Sequence, residues 1–282
     1  MSDFADLNEM KVSSVGDRFP QALFNQVESV FDRVINFVNG DLIVSLVTPE
    51  IGSGPFRIVL QGLVPAAVKE IELTSDAVII NADFVLPYSE KQIYISKLDF
   101  YQVNSEKMKK GIALINSRLQ ALNNTNTITY LLSQNLEKTT IAGFDLELAK
   151  QFQKAYKQLL AQDFQSAASG FRGRGFGLTP AGDDFNAGLL MGLVLRELTE
   201  KKELSKIRSY IYHNSLGKDL LVNTFLLQVY HSWYDEKWKN LLLALCENCS
   251  DLENAVEDVL AQGETSGADT LAGFLSAWEI KI

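Results

Sequence analysis

Hydrophobic and polar positions change their period once along this chain. In the first third, residues 42–47, 56–60, 68–73, 77–80 and 92–95 form short, β-branched and often alternating runs separated by turn residues, which predicts strands of an antiparallel β region, a small barrel or a sandwich. From Asn104 onward the apolar positions fall at helical spacings, beginning with Asn104-Ser105 as cap candidates and continuing through Ile112, Ile115, Leu119 and Leu122. Further helices are predicted over 145–162, 184–198, 203–212, 218–230, 236–245, 252–260 and 269–278. The expected fold is therefore α+β, with a β-rich domain over 1–103 and a helical domain over 104–282. Residues 189–195 are apolar on every face, so their helix is expected to run through the centre of the second domain. Gly188 and Gly192, four apart on that helix, suit tight packing against another helix.

Proline supports the division: Pro20, Pro49, Pro55, Pro65 and Pro87 precede residue 100, and only Pro180 follows. Gly52-Ser53-Gly54-Pro55 reads as a hairpin connection, because glycine reaches positive φ without a Cβ clash. The 282 residues are 46% hydrophobic, enough for a sizeable core. A net charge of −9 argues against nucleic acid and anionic membrane surfaces as partners. The first ten residues lack the basic-then-apolar pattern of a signal peptide, and no apolar run approaches the ~20 residues of a membrane span, so a cytoplasmic protein is expected. Cys246 and Cys249 make one Cys-x-x-Cys with no second pair, which suits packed or idle thiols better than zinc.

The strongest chemical signal is the phrase Gly175-Phe-Gly-Leu-Thr-Pro-Ala-Gly-Asp-Asp-Phe-Asn-Ala-Gly-Leu-Leu190. Together with Arg172, Gly173 and Arg174 it places glycines at alternate positions, a pattern that lets backbone N–H groups curl toward an anion. Thr179 as N-cap and Pro180 at the first helical position would set a positive helix end beside that nest. Gly177 and Gly182 have the spacing of a phosphate-binding P-loop, but Asp183 and Asp184 stand where lysine and serine or threonine are needed. The glycine spacing also fails the dinucleotide fingerprint.

Part of the phrase recurs. Gly182, Asp184, Ala187, Gly188 and Leu190 are echoed by Gly267, Asp269, Ala272, Gly273 and Leu275, preceded by Thr265 and Ser266. If both turns start helices in one domain, their N-termini are expected to converge on a shared pocket. Ser266 and Asp269 also read as a capping box, which would explain the second copy without a ligand. An aspartate beside a bound anion repels it, and two arrangements relieve this: Mg²⁺ bridging Asp183 and Asp184 to substrate oxygens, or an aspartate accepting from an amide NH₂. Acid–base work would then fall to Asp183 and Asp184, with Arg172, Arg174, Gly175, Gly177, Thr179, Gly182, Thr265, Ser266, Gly267 and Asp269 holding the anionic substrate. His213 and His231 sit at predicted helix ends and read as polar end residues.

At 175–190 and 265–275 the chain resembles the AllH-like family, formerly catalogued as a domain of unknown function. Its better-known members are subunits of oxamate carbamoyltransferase. The Gly-Leu-Thr-Pro-x-Gly-Asp-Asp-Phe phrase, the closing Ser266-Gly267-Ala268-Asp269, and the early Val34-Ile35-Asn36-Phe37 and Gly54-Pro55-Phe56 all look familiar. The resemblance implies a complex with two other subunits that interconverts oxalurate and phosphate with oxamate and carbamoyl phosphate in anaerobic allantoin or purine breakdown. Three functions remain open on sequence grounds: a site-bearing transferase subunit, a non-catalytic assembly subunit, and a Mg²⁺-dependent phosphoryl-transfer or hydrolase enzyme.

Overall fold

A computed structural model of the chain describes residues 10–98, 103–122, 126–132, 144–246 and 251–282. The architecture is α+β, with two sheets followed by helices. Two compact units make it up: Trp233–Lys239 join the described residues up to Leu98 in the first, and the rest of the described chain forms the second.

In the first unit, strands β1 (Lys11–Gly16), β2 (Leu23–Phe24), β3 (Val27–Phe31), β4 (Val34–Asn39), β5 (Leu42–Val47), β6 (Arg57–Gln61), β7 (Ile71–Leu73), β8 (Ala77–Ile80), β9 (Phe84–Pro87) and β10 (Ile93–Tyr94) form two sheets. One has the order β10-β1-β6-β5-β4-β3 and the other β2-β7-β8-β9. Phe37, Leu46 and Ile58 from the first sheet and Phe24, Ile71 and Val78 from the second share one hydrophobic core, as in a sandwich. Asn36 breaks the apolar run of β4 yet is buried, because it bonds to serines on both neighbouring strands, donating to Ser29 Oγ at 2.9 Å and accepting from Ser45 Oγ at 2.6 Å.

Two expectations for this unit are corrected. The larger sheet is mixed, since β1 pairs with β10 and β5 with β6 in parallel. The Gly52–Pro55 stretch is therefore not a hairpin: it carries the chain back to start β6 alongside β5. Gly16 makes room for it, because a Cβ there would lie 2.2 Å from the carbonyl oxygens of both Gly54 and Pro55. Trp233–Lys239 dock on the same region. Arg18 lies over the Trp233 ring at 4.7 Å, Arg57 pairs with Asp235 at 3.4 Å, and the Ser53 N–H donates to Glu236 Oε2 at 3.0 Å.

The second unit contains helices α1 (Ser105–Ala121), α2 (Phe144–Leu160), α3 (Phe164–Phe171), α4 (Ala181–Glu200), α5 (Ser205–Ser215), α6 (Leu220–Tyr230), α8 (Leu252–Leu260) and α9 (Ser266–Ser276), and takes in the part of α7 (Glu236–Cys246) from Asn240 onward. Asn104 caps α1 as expected, accepting from the Glu106 and Lys107 N–H groups. Helix α3 was not foreseen. Gln162 turns out of α2 at positive φ, and the Asp163 side chain then caps a new helix by accepting from the Ser166 N–H. Cys246 is buried, and Cys249 lies outside the described residues. Helix α4 is buried on all sides from Ala181 to Arg196, as its apolar faces predict.

Glycines set the packing of α4 on α9. A Cβ at Gly188 would stand 1.8 Å from the Thr270 carbonyl oxygen, and one at Gly273 would stand 1.9 Å from that of Phe185. Phe185 and Thr270 occupy equivalent places in the two copies of the repeat, so each copy inserts the same glycine against the same backbone group of the other. Gly192 continues the seam against Phe274 and Ala277, which makes the helices parallel with their N-termini together. The first glycines match too: Gly182 abuts the Phe171 carbonyl of α3, and Gly267 that of Val259 in α8. The repeat is thus two helix pairs, α3–α4 and α8–α9, related by a local twofold axis along the central helices.

Candidate functional site

The twofold packing brings the two turns face to face. Thr179 Oγ1 lies 3.3 Å from Ser266 Oγ, and Asp184 and Asp269 are both fully buried directly behind them. The expected convergence of helix N-termini is therefore observed.

The local assignments differ from those expected. Pro180, not Thr179, is the N-cap of α4, and Thr179 instead donates its hydroxyl to Asp184 Oδ2 at 3.1 Å. Thr265, not Ser266, is the N-cap of α9, without a side-chain cap bond. Asp269 does not close a capping box: its Oδ1 accepts from the Ile128 N–H at 2.8 Å, far away in sequence. A tertiary donor has outcompeted the local one, so capping does not account for the second copy. One oxygen of each acid, Asp184 Oδ1 and Asp269 Oδ2, is buried and finds no hydrogen-bond partner among the described residues. Such orphaned oxygens are costly in a folded interior.

Electrostatics follow from that burial. It pushes Asp184 well above the ordinary carboxylate range, and the charges of Asp269 and Asp183 add to the rise while the Ser266 and Thr179 hydroxyls oppose it. Burial also raises Asp269 to about 7, against the pull of the Ile128 amide and the Thr265 hydroxyl. Asp183 rises to about 6, chiefly by burial, although its Oδ1 accepts from the Gly173 N–H at 2.9 Å and Arg172 is near. The sequence posed repulsion between these acids and an anion. Protonation of Asp184 removes part of it, because a neutral carboxyl there leaves the positive end of α4 less cancelled.

Beside the acids, Gly173, Gly175 and Gly177 all take positive φ, at 66°, 117° and 92°, so the turn has the alternating geometry that the glycines suggested. Its tip carries exposed apolar side chains, Phe176 at 68% and Leu178 at 57%. Arg172 and Arg174 are engaged elsewhere: Arg172 donates to the Asn214 and Leu216 carbonyls, and Arg174 donates to Gln151 and to the Ser169 and Gly170 carbonyls that end α3. Phe171 and Phe185 stack at 4.1 Å within the core. Among the described residues no three His, Cys, Asp or Glu side chains gather as a metal site. His213 and His231 lie at helix ends, as expected, and belong to an aromatic group with Tyr212 and Tyr230.

Three residues of this region escaped the sequence reading. The Ile128 amide carries no residue signature, because any residue but proline supplies it. Tyr130, two residues on, has its phenol raised well above its usual value by burial and, secondarily, by the Asp269 charge. Asp219 caps α6 by accepting from the Val222 N–H, and its charge adds to the rise at Asp183. Only Asp219 had a readable signal, as an N-cap before an apolar run.

The geometry defines a class: an α+β protein whose helical unit sets two buried acids behind a pair of facing helix N-termini. Residues 171–278 match the model of the family described as oxamate carbamoyltransferase subunit AllH. The matched part takes in both copies of the repeat and the residues between them, and over that part the chain is similar to the AllH subunit family. No curated protein and no solved structure matches the chain. Among the described residues, no helix is long and apolar enough to cross a membrane.

Proposed function

We propose that this chain is the site-bearing subunit of an oxamate carbamoyltransferase-like complex, acting with two other subunits to interconvert oxalurate and phosphate with oxamate and carbamoyl phosphate. The pathway would be the anaerobic breakdown of allantoin or purines. The observation that carries this reading is the pair of orphaned carboxyl oxygens, Asp184 Oδ1 and Asp269 Oδ2, behind adjoining helix N-termini. A carbamoyl or oxamate amide supplies the missing partners, its NH₂ as donor and its carbonyl oxygen as acceptor. The dipole of α4 favours the anionic end of the same substrate, and the positive-φ turn at Gly173–Gly177 lies beside that helix end. Thr179 and Ser266 cover the acids, so ligand entry would displace their hydroxyls.

The assembly-subunit reading has three observations in its favour. The repeat glycines are accounted for by helix packing, both arginines are held by the protein's own carbonyls, and the exposed Phe176 and Leu178 suit a partner surface. Carbamoyl phosphate formation from oxalurate and phosphate, measured with the chain alone and with its two partner subunits, separates the readings. The site-bearing reading expects activity in the mixture and a loss of about 100-fold or more in Asp184→Asn with assembly intact. Full activity in Asp184→Asn and Asp269→Asn would leave the chain an assembly subunit, and no activity in any mixture would remove the reaction itself.

A further inference from the structure

The repeat places Asp184 and Asp269 at equivalent positions but does not hold them alike. Asp184 Oδ2 meets the Thr179 hydroxyl at 3.1 Å. Asp269 Oδ1 meets the Ile128 N–H at 2.8 Å in a fully buried bond. A hydroxyl rotates and serves as donor or acceptor, so it accommodates a carboxyl in either protonation state; a backbone N–H only donates, and so favours the ionised form. Pseudo-equivalent acids are thereby made inequivalent by a segment outside the repeat.

We propose that Ile128 is a positioning residue that sorts the pair: its amide makes Asp269 the acid that carries charge and leaves Asp184 the acid that carries the proton. The assignment rests on the proposed site and gives its halves different tasks. Asp269, ionised, presents an acceptor to a ligand N–H. Asp184, protonated, presents an O–H donor to a ligand oxygen, which an ionised acid could not do. Besides each other, the ionisable groups facing the pair are Asp183 on α4 and Tyr130 in the 128–132 turn. Burial drives both acids upward, and the Ile128 amide is the foremost influence holding Asp269 down.

The test is an NMR titration of the carboxyl carbons in the chain by itself, each signal assigned through its own backbone. It is read on the wild type, on Asp184→Asn, and on a chain whose Ile128 amide nitrogen is replaced by an ester oxygen. The wild type is expected to show Asp269 titrating near about 7 while Asp184 stays protonated across neutral pH. Asp184→Asn replaces one neutral group by another, so the Asp269 midpoint is expected to move by less than about half a unit. The ester removes the N–H and is expected to raise the Asp269 midpoint by about one unit or more. Ionisation of Asp184 before Asp269, a fall of more than about one unit at Asp269 in Asp184→Asn, or unchanged midpoints in the ester would each overturn the assignment. The wild-type titration stands even if a variant does not fold. Neither partner subunits nor substrate enter, so a wrong proton assignment and a wrong reaction fail in separate experiments.

Discussion

Asp183, Asp184 and Asp269 have folded pKa values above the unfolded carboxylate value near 3.8, chiefly through burial. The folded state therefore binds more protons than the unfolded chain in the interval between those values. Stability from these groups is fully present below about pH 4 and is lost as pH rises through about 6 for Asp183 and about 7 for Asp269. Unfolding followed by circular dichroism should show the protein more stable at about pH 5 than at about pH 8, by on the order of 3 kcal/mol. Asp269→Asn should flatten that profile, and an unchanged slope would mean that Asp269 ionises normally. The identity of these acids was legible in the sequence from their place in the repeated phrase. Their protonation was not, because it depends on burial that only the packing of α4 on α9 creates.

At the scale of elements, close approach between α4 and α9 depends on glycines that leave no room for a Cβ. Gly188→Ala would put a methyl 1.8 Å from the Thr270 carbonyl oxygen, a backbone atom that cannot turn aside. The helices must separate, at a cost of about 3 kcal/mol or more, read as a lower denaturant midpoint with an unchanged slope. Gly217→Ala, whose nearest neighbours are the Arg172 Cγ and Cδ at 3.8 and 3.9 Å, should change the midpoint by less than about 0.5 kcal/mol. Equal effects at the two positions would mean that the seam is looser than described. Helix identities followed from apolar period, and α8 was foreseen to the residue. Helix α3 was missed although Phe164, Ala167, Ala168 and Phe171 fall at helical spacing, because two turns directly after α2 make too short a run to stand apart from it.

For the whole molecule, the informative feature is that Trp233–Lys239, the link after α6 and the first turn of α7, belong with the β unit although the helices around them in sequence do not. A fragment ending at Leu98 lacks the partner of Arg57, the ring beneath Arg18 and the carboxylate that receives the Ser53 N–H. Joining residues 233–239 to that fragment through a flexible linker should raise its urea midpoint, with the buried Tyr234 and Trp238 contributing most of the gain, roughly 2 kcal/mol or more. An equal midpoint with and without the segment would show that the sheets stand by themselves. Strand direction belongs to this scale as well. The 42–47 and 57–61 strands are both readable from alternation, but whether they pair antiparallel or parallel depends on where the intervening chain can lie, and Gly16 decides that from a distant strand.

Sequence by itself determined the change from strand to helical period, the centrality of α4, and the repeated phrase with its two acids, because each is a local pattern of side-chain polarity and glycine. Tertiary structure alone decided the mixed sheet, the twofold seating of the two copies, and the Ile128 amide as the partner of Asp269. A backbone donor has no side-chain signature, and which donor reaches a buried acid is settled only when distant segments pack together.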